Sequence, residues 1–422
     1  MIKIFKYVIY SFLFVLYINV SAQVEVNGLV DFEVSQGGKD SNYGVNEISG
    51  DYKKPHLAVN QMNLFVFSQI NEEFSVNMRL QFDTWATGTL NQLRLSLAEL
   101  TWEPPEGSIR VSVGRFVNPF GLYPQRQLSI QNTFVNTPLA YGYAINITDQ
   151  HGFYNSTGSG YTYGYGGSAS KLTTISYAGY TTGALFSWLI IPELLNLDLA
   201  VTNVALTSQK QYTMLHNAAG IFRMTFQPLI YWQQGISFSH GSFMESAADN
   251  YDYGNLQQFT QTVAGTDWVI AYTYFELSGE FIYTFWKVPG YDTDGFKVDV
   301  NGDLGVFDLE NYSYYVDLKY ELPFLPGSYV AARYEEMKFK KYIHPATIEE
   351  MAVNPWDEDI RRYTVGIGYK FSPNIQLKIA YSDQRLPNAY TTTSSNVFYS
   401  SNSSNYSGPK AYTLRSILSA AF

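Results

Sequence analysis

Between Phe74 and Asp83 every second residue is apolar. Phe74, Val76, Met78, Leu80 and Phe82 fall on one side of an extended chain, and Ser75, Asn77, Arg79, Gln81 and Asp83 on the other. Side chains of a β-strand alternate between its faces, so the segment reads as a strand with one apolar and one wet face. A run of this length arises by chance roughly once in a thousand windows, and it recurs. Val24, Val26, Val30, Phe32 and Val34 alternate with Glu25, Asn27, Asp31 and Glu33. Tyr312, Tyr314, Val316, Leu318, Tyr320 and Leu322 alternate with Ser313, Asp317, Lys319 and Glu321. Tyr363, Val365, Ile367, Tyr369 and Phe371 precede a Ser-Pro-Asn turn and then Ile375, Leu377, Ile379 and Tyr381. The chain is all-β.

Two architectures put water on one side of such strands. In a soluble sandwich the apolar faces pack together and strands run about 5–6 residues. Here they run about 10, the length a tilted strand needs to cross a bilayer. The connections alternate too. Short turns at Asn71-Glu72-Glu73, Pro104-Pro105-Glu106-Gly107, Phe324-Leu325-Pro326-Gly327 and Ser372-Pro373-Asn374 are separated by long polar segments, the asymmetry of an outer-membrane barrel. The pattern predicts one transmembrane antiparallel β-barrel of 16–18 strands over residues 23–422, closed because unpaired backbone groups in lipid cost several kcal/mol each. The long connections fall at about 35–56, 243–266, 289–311, 341–358 and 385–410. Residues 150–190 are weakly patterned, and the strand count depends on them.

Composition agrees. The 36 Tyr and 28 Phe suit a membrane–water boundary. The longest apolar run past residue 22, Ala184 to Ile191, is broken by Ser187 and stopped by Pro192, too short for a spanning helix. Lys3 and Lys6, the apolar stretch Tyr7 to Val20 and the small residues Val20-Ser21-Ala22 read as a cleaved export signal over 1–22. There is no cysteine, hence no disulfide framework and no thiolate metal site. Taking the two signal lysines from 27 basic residues leaves 25 against 37 acidic ones, a net charge of −12. No basic footprint for nucleic acid is present.

Val113-Gly114-Arg115-Phe116-Val117-Asn118-Pro119-Phe120-Gly121 resembles the Gly-Arg-Phe-x-x-Pro-Phe-Gly signature of the phosphate-selective porin family (porin O and P), at the end of a strand and before a long third loop. The final Phe422 resembles the terminal aromatic by which barrel-assembly machinery recognises clients. The resemblance implies a Gram-negative outer-membrane porin, often a homotrimer, set in lipid and lipopolysaccharide, with its third loop folded inward. Phosphate selectivity carries over poorly, because no lysine occurs between Lys54 and Lys171 and anion passage needs fixed positive charge.

The residues themselves agree with an inward loop. Pro119 and Gly121 break the strand, and 117–149 is too long for an ordinary hairpin. Its Phe116, Phe120, Tyr123, Phe134, Tyr141 and Tyr143 have the apolar mass to pack in the barrel, with an outer cap as the alternative. The candidate pore constriction is Arg115, Phe116, Phe120, Arg126, Arg79, Arg94 and Arg223. The competing role for each arginine is an internal ion pair bracing the wall. The mixed interior suits neutral or zwitterionic solutes or a weak cation preference. Asp299, Asn301 and Asp303 have calcium-like spacing, but Leu304 occupies the position an EF-hand gives to glycine, and Asn301-Gly302 between β-formers favours a hairpin. The five histidines show no metal-ligand spacing, and no serine sits in a nucleophile motif. The expected function is passive diffusion of small hydrophilic solutes rather than catalysis. The alternative is a receptor or scaffold barrel with a plugged lumen.

Overall fold

A computed structural model describes residues 23–37, 54–83, 92–149, 152–154, 171–176, 179–208, 217–244, 256–292, 295–296, 306–340, 356–357, 359–385 and 410–422. The segment 1–22, most of the long connections, and Asp299, Asn301 and Asp303 with their hairpin lie outside the described residues. Among the described residues no group of three acidic or histidine side chains could hold a metal ion.

The first strands are β1 (Gln23–Gly37), β2 (His56–Gln69), β3 (Phe74–Asp83), β4 (Gln92–Trp102) and β5 (Ile109–Val117). After a long inner segment come β9 (Tyr180–Ile191), β10 (Leu195–Thr202), β11 (Ala219–Leu229), β12 (Trp232–Ser242), β13 (Thr260–Tyr272) and β14 (Phe275–Asp292). The last are β16 (Val306–Glu321), β17 (Ser328–Phe339), β18 (Ile360–Ser372), β19 (Ile375–Arg385) and β20 (Lys410–Ala421). Each pairs antiparallel with its neighbour, and β1 pairs with β20 from Leu29↔Ala421 to Gly37↔Thr413, which closes a 16-strand barrel. Four short strands lie outside the 16-strand ring: β6 (Ala144–Thr148), β7 (Gly152–Tyr154), β8 (Lys171–Thr173) and β15 (Gly295–Phe296), with β7 and β15 paired to the loop end of β14. The lower end of the expected strand count is the observed one. Among the described residues of the weakly patterned stretch 150–190, β9 joins the wall, while β7 and β8 pair with β6, and β7 also with the end of β14.

The burial pattern inverts that of a soluble protein. Val113, Leu93, Val365 and Ile367 are 54–56% exposed, whereas Asp31, Arg79, Asp267, Glu280, Glu335 and Lys378 are buried. An apolar girdle facing outward on every strand is stable against lipid and not against water. The expected tight turns are all present at one end of the barrel, hereafter the turn end. The long connections, and the third loop with them, leave from the other, the loop end.

The inner face changes along the strands. β14 presents Glu276, Ser278 and Glu280 near its turn end, then Ile282, Trp286 and Val288 toward its loop end. On β16 and β17, Asp317, Arg333 and Glu335 give way in the same sense to Phe307, Leu309, Met337 and Phe339. These apolar ends meet Leu139, Ile145, Ile147, Phe153 and Leu172 of the inner segment, with Phe243, Phe259 and Trp356, in one buried cluster. Each large side chain so buried contributes about 1.5–3 kcal/mol. A dry core therefore fills the loop-end mouth along β13–β18.

Candidate constriction inside the barrel

The connection after β5 runs from residue 118 to 179, and its first part enters the barrel. Two glycines of the signature make the entry possible. Gly114 has φ +125°, and a Cβ there would lie 2.3 Å from the Ala98 carbonyl oxygen. This break in the alternation leaves Arg115 and Phe116 both buried. Gly121 has φ +73°, and a Cβ would lie 2.6 Å from the Tyr141 hydroxyl and 3.2 Å from Glu280 Oε2. Between them the Asn118 side chain accepts the Phe120 amide at 2.8 Å.

Three sets of contacts then tie the loop to the wall. At its root Phe116 and Phe120 pack with Tyr123, Tyr141, Ile175, Leu185 and Ile282. Glu280 of β14 accepts the Leu122 amide at 2.5 Å and the Tyr141 hydroxyl at 2.7 Å, and the Tyr123 amide as well. Burial, helped by Glu280, pushes the Tyr141 phenol well above its usual range, so it remains a donor. Gly121 N–H donates to Ser237 Oγ of β12 at 3.2 Å. Near the turn end Arg126 pairs with Glu276.

At its tip the loop reaches β1 and β19. Ser129 Oγ donates to Asp31 at 2.6 Å, and the Lys378 ammonium donates to the carbonyls of Ser129 and Asn132. The loop then returns along β17 and β18. Tyr329 donates to the Thr133 carbonyl at 2.8 Å, Arg333 to that of Asn136 at 2.9 Å, and Arg362 to that of Thr137. Leu139 N–H reaches Glu335 Oε2 at 2.9 Å, just before the single-turn helix α1 (Leu139–Gly142). Fixing each residue costs about 1–2 kcal/mol, and one hydrogen bond returns about 1. The buried aromatic side chains must supply most of the hold.

This route runs from β5 across to β12–β14, then across to β1, then back along β19–β17. The wall from β2 to β4 lies on the far side of this route. There Gln61, Asn77, Gln81, Arg94 and Glu99 are half-exposed. Gln81 donates to Gln61 at 3.3 Å and Gln61 to Asp31 at 2.8 Å. Asn77 donates to Glu99 at 3.4 Å.

The seven sequence-picked residues divide. Arg79, Arg94 and Arg115 lie together on β3–β5: Tyr180 accepts from Arg79, and both Arg79 and Arg115 stand over its ring at 5.6 and 5.9 Å. Arg79 also donates to Asn63 at 2.9 Å, and Arg115 to the Ser96 carbonyl at 3.0 Å. Arg126 sits on the loop, and Phe116 and Phe120 lie in its packed root. Arg223 is elsewhere, clamped to Asp267 by two bonds of 2.7 and 2.8 Å. Arg333–Asp317, Arg362–Glu335 and Arg415–Glu33 are likewise buried pairs. Sequence reasoning missed the residues that seat the loop: Asp31, Glu280, Glu335 and Lys378. Their only sequence signal was a charge among small or apolar inward positions.

No family model matches this chain, and no curated protein matches it in sequence. Solved structures do match its shape. An anion-selective porin from Comamonas acidovorans is 10% identical with a TM-score of 0.56, over 95% of this chain and 100% of that one. The outer membrane channel DcaP of Acinetobacter baumannii is 12% identical at 0.56, over 96% and 98%. Salmonella typhi OmpF, in a complex with daunomycin, is 14% identical at 0.54, over 96% and 99%. The shared property is the fold, a porin-type barrel.

Proposed function

We propose that this protein is an outer-membrane porin of a Gram-negative bacterium, through which small hydrophilic solutes and ions diffuse passively, and that it is no enzyme. The observation that carries this reading is the third loop bonded across the lumen while the inward polar side chains of β2–β4 stay half-exposed. A loop seated in this way sets pore radius and lining, the two quantities that govern flux. The lining also refines the selectivity expected from sequence. On β12–β20 the carboxylates Asp267, Asp317 and Glu335 are tied to arginines. The inner face of β3–β5 carries Arg79, Arg94, Arg110 and Arg115 against Glu99 among the described side chains. That balance supports weak anion preference, where the mixed interior read from the sequence suited neutral or zwitterionic solutes or a weak cation preference.

The Gly-Arg-Phe-x-x-Pro-Phe-Gly segment supports kinship with the phosphate-selective porins, and with it a homotrimer. The glycines of this segment are the ones the loop entry requires. A second reading, a partner-binding barrel with a filled lumen, draws on the dry cluster in the loop-end mouth. Planar-bilayer recording separates the two. Stable open steps with a reversal potential on the anion side in a potassium chloride gradient are expected. A folded barrel that stays silent would establish the filled-lumen reading, and a potential on the cation side would refute the selectivity. Cross-linking in detergent tests the trimer.

A further inference from the structure

Among the described residues, charged side chains on the outer face near the loop end cluster on β14–β19. Among the described residues, β1–β5 present Val34, Leu57, Leu93 and Val113 there, and β10–β13 present Val201, Gly220, His240 and Thr262. On β14 and β16 the charges balance, Lys287 lying opposite Asp308 and Glu310 pairing with Lys340, whereas β17–β19 present Lys338, Arg361 and Arg385, just loop-ward of a tyrosine band formed by Tyr334, Tyr363 and Tyr381.

The three cations are held in place from beneath. Glu336 Oε1 accepts Arg361 at 3.0 Å and faces Lys338 Nζ at 3.4 Å, while its other oxygen accepts Tyr314 at 2.6 Å. Two positive heads therefore share one carboxylate oxygen. Arg385 is bonded to Asp383 and stands over the Tyr363 ring at 5.7 Å. The carboxylates lie underneath, with side chains 6% and 15% exposed, against 37%, 38% and 46% for Lys338, Arg361 and Arg385. What faces outward is positive.

The strand register makes this more than a surplus of charge. Arg361 is the direct cross-strand partner of Arg385, and like charges directly opposite each other on a sheet are destabilising. An anion between them removes that penalty, and guanidinium groups fit phosphate oxygens in a two-point fork. The site lies on the lipid-facing side, continuous with exposed Val365 and Ile367 below the tyrosines. An anion at that height on that face is carried by a lipid.

We propose that Lys338, Arg361 and Arg385 form a binding site for the phosphate of a phosphorylated membrane lipid, with its sugar or glycerol moiety against Tyr334 and Tyr363. The proposal rests on the outer face being lipid-facing, and not on conduction through the lumen.

The test uses the full chain in detergent micelles, titrated with diphosphorylated lipid A and with its dephosphorylated counterpart, each read by native mass spectrometry. The wild type is expected to bind the phosphorylated lipid about tenfold more tightly. The triple variant Lys338→Gln/Arg361→Gln/Arg385→Gln should lose that preference while keeping the heat-shifted gel migration of a folded barrel. If the triple variant does not fold, Arg385→Gln alone should reduce the preference. Equal affinity for the two lipids overturns the proposal, as does a preference that survives in the variants. Displacement of the lipid by inorganic phosphate at the lipid's own binding concentration would mark a free-phosphate site and refute the lipid. A barrel that conducts without lipid preference would refute this site and leave the channel reading standing; a silent barrel that discriminates would do the reverse.

Discussion

The two halves of the inner wall treat charge in opposite ways. Along β11–β19 a set of inward charges is buried and engaged, either with a partner of opposite sign or with the third loop: Arg223 with Asp267, Arg333 with Asp317 and Asn136, Arg362 with Glu335 and Thr137, Lys378 with Ser129 and Asn132. Along β2–β5, Arg79 and Arg115 are buried too, but Gln61, Asn77, Gln81, Arg94 and Glu99 stay half-exposed. Both halves read alike in sequence, as strands with polar or charged residues at every second position. The difference arises because the loop lies against one half only. A charge covered by the loop becomes part of the structure, and a charge on the half-exposed wall stays accessible.

Substitutions on the covered half should therefore cost stability, and those on the open half should change selectivity. The largest effect is expected at Arg333→Met, which strands the buried Asp317 carboxylate. Breaking such a pair costs about 3–5 kcal/mol, read as a lower urea midpoint in micelles. A midpoint equal to the wild type would mean that the covered half is wetter than described. Glu280→Ala should follow, at about 3 kcal/mol for donors left without an acceptor. It should also raise single-channel conductance, because the loop root is released. Unchanged conductance would show that the loop is seated by its apolar contacts alone.

Gly121→Ala should cost about 1–2 kcal/mol for its left-handed backbone, with the added methyl pressing on Tyr141, and should make channel openings noisier. A quiet channel would argue against tight seating at this point. The smallest stability change, within about 1 kcal/mol, is expected for Glu99→Gln on the open half. Its reversal potential should nevertheless move further toward anions. A large loss of stability with no shift in potential would erase the distinction between the halves.

Much of the barrel was legible beforehand because period-two alternation reports directly which face of a strand meets which medium. The segment Phe74 to Asp83, the tight turn at Ser372-Pro373-Asn374 and the entry of a loop after Gly121 all follow from local pattern. The exact strand number did not, because β7 and β8 are short extended pieces that alternate too weakly to be told from wall strands. Of the candidate site, Arg79, Arg94 and Arg115 were found as inward arginines. The seat formed by Asp31, Glu280, Glu335 and Lys378 was not, since each lies far along the chain from the loop backbone it binds.

The sequence by itself determined a closed sheet with its apolar side outward, since alternation over bilayer-spanning lengths leaves no other way to satisfy both the side chains and the backbone. Only the tertiary structure decided which inward charges became braces and which stayed half-exposed. Two strands with the same pattern differ solely in what crosses the lumen in front of them. That is a matter of contacts between residues as distant as Ser129 and Lys378, which no local periodicity encodes.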